Sequence, residues 1–254
     1  MMRASTHGCL VLFFLSSGTT LFARSGEGAD STTTRLQLRQ TIPVPVREPS
    51  GLALDFRGRY LWTVSDTSNR IYKLSFDGVL LDSLSFLGED LEGITQNTID
   101  ATLWVVEERL REAVNVDTMG RELRRVKIPV KHKKKNSGLE GIAFHPGRQH
   151  FFVVNEKSPK LLIELDHMQQ VTGFRKIKFA RDYAGVAYDA RYDCLWIVSD
   201  LSKSVTKCDL TGKPLARFRH DIDKAEGIAL DADRKLLYLI SDSQAQLYIL
   251  DLPE

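Results

Sequence analysis

The 254-residue sequence predicts an all-β, five-bladed β-propeller whose N-terminal strand completes the last blade. Three observations carry this reading. A glycine-centred motif recurs five times. Each copy is followed by the same succession of short β-rich runs. The last copy lacks its final run, and the N-terminus holds a spare one. The glycines are Gly51 in "PSGLALD", Gly93 in "LEGITQ", Gly141 in "LEGIAFH", Gly185 in "YAGVAYD" and Gly227 in "AEGIALD", at intervals of 42 to 48 residues. That period suits one four-stranded propeller blade.

The glycine motif is the first strand of each unit. The second strands are "LWTVSD", "LWVVEE", "FFVVNE", "LWIVSD" and "LYLISD", ending at Asp66, Glu108, Glu156, Asp200 and Asp242. The third strands are "RIYKL", "EAVNV", "KLLIEL", "SVTKC" and "QLYIL". Turn signals ("FDG", "DTMG", "DHMQQ", "DLTG") then lead to fourth strands in "LLDSLSF", "ELRRVKI", "GFRKIKF" and "PLARFRH". The fifth unit stops at "LYILDLPE". The run "RLQLRQTIPV", residues 35–44, is a fourth strand with no unit before it and would close the ring, removing a free sheet edge. Trp62, Trp104 and Trp196 share one position in the second strands and read as core between blades.

Residues 1–23 have the layout of a secretory signal peptide, with Arg3 ahead of an apolar stretch from Cys9 to Leu15 and Ala23 before the expected cleavage. Residues 24–34 read as a polar linker and residues 35–254 as the propeller. The expectation is an extracytoplasmic protein, periplasmic or secreted; an uncleaved N-terminal anchor is the alternative. No apolar run approaches the ~18 residues of a membrane helix, so no span is expected in the mature chain. A net charge of +2, with 27% charged and 43% hydrophobic residues, gives no bulk attraction for nucleic acid.

In a propeller the first strands line the central channel. Immediately before the five glycines stand Ser50, Glu92, Glu140, Ala184 and Glu226. Where that residue is not acidic, a carboxylate lies two positions earlier, at Glu48 and Asp182, and the second blade has both Asp90 and Glu92. Every blade is thus expected to bring a carboxylate to about the same level of the channel. Like charges gathered there must take up protons or bind a cation, and the hard cation that suits an all-oxygen shell is Ca²⁺. The alternative is that these acids cap backbone N–H groups around a water-filled channel.

The ordered set "EPSGLAL", "DLEGI", "GLEGIAF" with "NEKSP", "DYAGVAYD" and "AEGIALD" resembles the SdiA-regulated family, the YjiK-like proteins, over nearly all of residues 35–254. The resemblance implies a five-bladed propeller distantly similar to NHL repeats, with a shared calcium site. The acids carried over with the motifs are Glu48, Asp90, Glu92, Glu140, Asp182 and Glu226, with Glu108 and Glu156 as a second acidic set. The mature chain has no G-x-S-x-G elbow or H-E-x-x-H helix, and none of its histidines occupies a repeated motif position. Two functions follow as expectations: a non-catalytic binding or scaffold module engaging an unidentified ligand or protein at the channel face, or a calcium-dependent hydrolase of the lactonase, phosphotriesterase or phytase-like kind.

Two further features carry expectations of their own. Cys194 and Cys208, in the second and third strands of the fourth blade, are expected to fall opposite each other on one face, close enough for a disulfide in an oxidising compartment, with a pair of buried thiols as the alternative. The run "KIPVKHKKKNSG" places Lys127, Lys131, Lys133, Lys134 and Lys135 between blades 2 and 3, as a solvated loop or as an anion-attracting lip.

Overall fold

A computed structural model describes residues 34–131 and 137–254, together with Met1. Every regular element among these residues is a strand, and the strands form five antiparallel blades in sequence order. The innermost strands are Pro49–Leu54, Leu91–Gln96, Leu139–His145, Gly185–Asp189 and Ala225–Asp231. None of the described helical or strand segments supplies a helix long and apolar enough to cross a membrane. The signal-like segment, most of the linker and Lys133 to Lys135 lie outside the described residues.

The second strands are buried almost throughout, because each is covered on both faces by neighbouring blades. That is why they read as unbroken apolar runs rather than as alternating ones. Apolar side chains collect into five clusters, one for each contact between adjacent blades. The three tryptophans sit in three of these interfaces, at 2%, 4% and 0% exposure for Trp62, Trp104 and Trp196. Trp196 stacks on Phe218 at 5.4 Å, and its indole N–H donates to Asp189 at 3.1 Å. The core is a ring of seams, not a single centre.

Ring closure follows the predicted route with one change. Leu38–Pro43 pairs antiparallel with Gln246–Asp251 and completes blade 5. The expected single strand over residues 35–44 is instead broken in two, because Thr34–Arg35 pairs in parallel with Pro214–Arg219 and gives blade 4 a fifth strand. Leu36, 5% exposed, is buried in the seam between blades 4 and 5, and that burial draws the chain from one blade to the next. Thr34, expected in the linker, is therefore part of the propeller.

Each blade ends on an outermost strand with a free edge, and the pairing of third with fourth strand slips by one residue in all five, leaving Leu81, Leu123, Thr172, Leu215 and Arg39 outside the ladder. A bulge twists an edge and discourages a second chain from pairing with it.

The cysteine register differs from expectation. Cys208 lies opposite Leu195, not Cys194. Side chains alternate along a strand, so a one-residue offset puts the two thiols on opposite faces. Cys194 belongs to the seam between blades 4 and 5 and Cys208 to that between blades 3 and 4, both as buried free thiols. Burial pushes the Cys194 thiol up to about 11 and the Cys208 thiol up to about 12.

Candidate functional site

The repeated glycines form the waist of the channel. A Cβ built on Gly93 would lie 2.2 Å from the carbonyl oxygen of Glu140, and one on Gly185 would lie 2.4 Å from that of Glu226. Gly51, Gly141 and Gly227 meet backbone atoms of the adjacent innermost strand at 2.6 to 2.7 Å. Five backbones thus converge at a level where no side chain fits. The cavity remaining around this waist is about 10 Å³, at the lower limit for one water. The waist divides the channel into two compartments.

One compartment is acidic. In blade 1 the slip between Pro49 and Leu52 leaves out Ser50 with Gly51, and in blades 2, 3 and 5 the residue before the glycine is left out, where the pairing slips between Leu91 and Gly93, between Leu139 and Gly141, and between Ala225 and Gly227. Glu92, Glu140 and Glu226 are the bulged residues of those last three blades. A bulge re-aims a side chain that regular alternation would send elsewhere. The chain reaches the bulges of blades 2 and 5 through left-handed residues, Asp90 (φ 59°) and Lys224 (φ 50°), and Glu48 has the same backbone conformation in blade 1 (φ 46°). Blade 4 has no bulge here and carries Ala184 instead.

Glu140 is buried, at 9% exposure, and among the described residues it has no hydrogen-bond or ion-pair partner. Burial, then the charges of Glu92, Glu226, Glu156 and Glu108, hold its carboxyl well above the usual carboxylate range. Glu92 is raised well above that range by burial too, although the Ser50 hydroxyl donates to it from the neighbouring blade. Burial pushes Glu108 up to about 7 while it accepts the Gly138 N–H at 2.9 Å. Glu226 is likewise pushed up to about 7 by burial, against the nearby Lys224.

Two sets of carboxylates bring one oxygen per residue within 4.8 Å of one another: Asp90, Glu92 and Glu108, and Glu108, Glu140 and Glu156. Glu108 is common to both. The other motif acids are engaged differently. Asp182 accepts the Leu201 N–H at 3.1 Å and the Ser199 hydroxyl, as a cap would. Glu48 accepts the Thr67 hydroxyl. Asp90, a member of the first set, is also held in a bidentate pair by Arg109 at 2.9 and 3.0 Å. Glu226 lies 3.5 Å from Lys224. The expectation of one equivalent carboxylate per blade at one level therefore gives way to an asymmetric cluster on blades 2 and 3.

Three acids that the repeats display but the motif set omits also face this mouth: Asp66, Asp200 and Asp242. Burial, then Glu48, raises Asp66, and burial, then Asp66, raises Asp242. Asp200 is matched by Lys203 at 2.8 Å, which also binds Asp223. Their signal was present, since each closes its blade's second strand.

The arrangement has the fold of solved propellers with diverse names. A glutaminyl cyclase from Myxococcus xanthus superposes with a TM-score of 0.64 at 14% identity, over 87% of this chain and 99% of that one. A gluconolactonase from Xanthomonas campestris gives 0.58 at 16% identity, over 88% and 96%. A virginiamycin B lyase from Staphylococcus aureus gives 0.52 at 18% identity, over 84% and 69%. At such identities the likeness concerns the fold alone. The model of the family described as SdiA-regulated matches residues 28–249, and with these repeats and this fold the chain belongs to the SdiA-regulated family.

Proposed function

We propose that the acidic mouth holds Ca²⁺ and that the protein is an extracytoplasmic binding or scaffold module in which the ion ties blades 2 and 3 together. The observation that carries this reading is Glu140, a carboxylate nine-tenths buried, without a partner among the described residues, facing four other acids. An unpaired buried charge is costly, and a cation is the group that relieves it. The donors fit calcium. Glu92, Glu108, Glu140, Glu156 and Asp90 offer only carboxylate oxygens, with no histidine or cysteine in either cluster, and hard oxygen ligands in a loose shell suit Ca²⁺ better than Zn²⁺ or Mg²⁺. When bound, the ion supplies charge compensation. The signal-like segment of residues 1–23 supports the extracytoplasmic assignment, where calcium is plentiful.

The test is metal analysis of the purified chain with melting curves in chelator and in added calcium. Binding to the folded state alone raises the melting temperature with calcium concentration. Glu140→Gln keeps the shape, removes one charge and should abolish most of the calcium response, while the ion-free variant melts above the ion-free parent. A melting curve indifferent to chelator overturns the calcium reading. Calcium-dependent turnover of a lactone, phosphoester or aryl ester would replace the scaffold reading with the hydrolase one.

A further inference from the structure

The compartment on the other side of the waist is a funnel with a closed floor. Next to the glycines stand Leu52, Ile94, Ile142, Val186 and Ile228; then comes a ring of small residues, Ala53, Thr95, Ala143, Ala187 and Ala229, and beyond it a ring of larger ones, Leu54, Gln96, Phe144, Tyr188 and Leu230. Small residues beneath large ones leave a cavity of about 240 Å³. A side cleft of about 580 Å³ adjoins it, and Leu54, Phe56, Tyr188 and Leu230 line both. A largely apolar concavity with a few converging polar groups is the usual form of a small-molecule site.

We propose that this funnel binds a small amphipathic carboxylate, its apolar body on the ring of small residues and its carboxylate at the lip beside Phe56. Two donors flank Phe56, Gln96 lining the funnel and Arg57 the adjoining cleft. Gln96, 4% exposed, accepts the Phe56 N–H at 2.8 Å and donates to the Ala101 carbonyl at 2.9 Å. A primary amide has two N–H donors, so one is left over among the described residues. The Arg57 guanidinium lies over the Phe56 ring at 5.0 Å and has no carboxylate partner among the described residues. The neighbouring arginines are matched: Arg59 to Asp55 at 3.1 Å, Arg191 to Asp189 at 2.8 Å and Arg234 to Asp231. Asp55 beneath the lip has its charge matched by Arg59 through Oδ2, while its Oδ1 is buried without a partner among the described residues, and the Arg57 guanidinium is left to receive an anion. At ~30 Å³ for each water-sized group, the cavity takes a body of roughly eight carbons. This site is separate from the acidic mouth and independent of any metal there.

The test is calorimetric titration of the full chain, in chelator, with octanoate, octanol and octyltrimethylammonium. Octanoate should bind about tenfold more tightly than the other two, the effect of one charge-assisted contact. Arg57→Gln should erase that preference and leave octanol binding unchanged. Leu230→Trp, which fills the funnel, should abolish binding of all three. Should Leu230→Trp fail to fold, Leu54→Glu places a negative charge on the wall and should weaken octanoate but not octyltrimethylammonium. Tighter binding of the alkylammonium would set the head group against Asp233 in the cleft and overturn the proposal. So would the absence of octanoate binding, or octanoate binding unchanged by the filling and charge variants.

Discussion

The two ends of the channel are built by the same five strands and differ completely in chemistry. Glu140 and Ala143 are three residues apart on one strand, yet one belongs to a cluster of carboxylates and the other to the floor of an apolar funnel. What separates them is Gly141 and its four counterparts, whose packed backbones leave a cavity of only about 10 Å³ between the compartments. The closed waist is also why the acids are raised: solvent reaches Glu140 and Glu92 from one side only, and burial is the leading cause of each shift. An open channel would hydrate those charges. The difference between the ends teaches that backbone packing at the waist, more than the acids themselves, creates the electrostatic demand that a cation would meet.

The hardest way to break this division is at the waist. Gly93→Val would force a side chain to within 2.2 Å of the Glu140 carbonyl oxygen, and overpacking against backbone should cost roughly 3 kcal/mol or more. Gly173→Ala, whose added carbon meets only the flexible Arg175 side chain at 3.4 Å, should stay within about 0.5 kcal/mol. Urea unfolding of both variants checks this, and equal effects would refute the waist.

A gentler probe is pH, which addresses chiefly the acidic end. Glu108 and Glu226 take up protons at about 7 in the folded chain, against 4.5 as ordinary glutamates, and Glu92 and Glu140 are raised as well. Between these values the folded state holds more protons than the unfolded one, so stability of the ion-free protein falls as pH rises from about 4.5 to 7. His220 acts in the opposite sense. Burial holds its imidazole down at about 4, so it adds stability as pH rises from about 4 to 6.5. The raised acids, Asp66 and Asp242 among them, against one lowered histidine leave a net loss on the order of a few kcal/mol. Saturating calcium should remove it, because the folded carboxylates then stay charged. Urea midpoints across this range, with chelator and with calcium, give the comparison; a flat profile in chelator would contradict it.

The smallest expected effect concerns the internal cations of the acidic end. Arg109 is 58% exposed at its side chain, so its pair with Asp90 should contribute about 0.5 kcal/mol or less. Arg109→Gln should leave the melting temperature nearly unchanged in chelator and tighten calcium binding a few-fold, since Asp90 is released to the cluster. Weaker calcium binding would mean that Arg109 orients Asp90 instead of competing for it.

The blade count, the closing strand and the inter-blade tryptophans were legible in the sequence because each rests on a repeated pattern of apolar runs and turns. The acids were legible as residues but not as an arrangement. Asp90 and Asp182 stand at the same motif position, three residues before the glycine, yet the first joined a carboxylate cluster and the second became a cap for Leu201. The cysteine pair shows the same limit. Its separation in sequence was right for a hairpin, but a shift of one residue, from Cys194 to Leu195 opposite Cys208, moved the thiols to opposite faces.

By itself the sequence determined the five blades, their closure and the presence of carboxylates before the glycines, since periodicity and hydrophobic pattern are local properties that each repeat states again. Only the tertiary structure decided that the glycines form a waist, that three bulges turn Glu92, Glu140 and Glu226 toward one another, and that a funnel lies beyond. Those outcomes depend on how closely five separate strands approach a common axis. That distance is set by packing around the whole ring and is written in no single repeat.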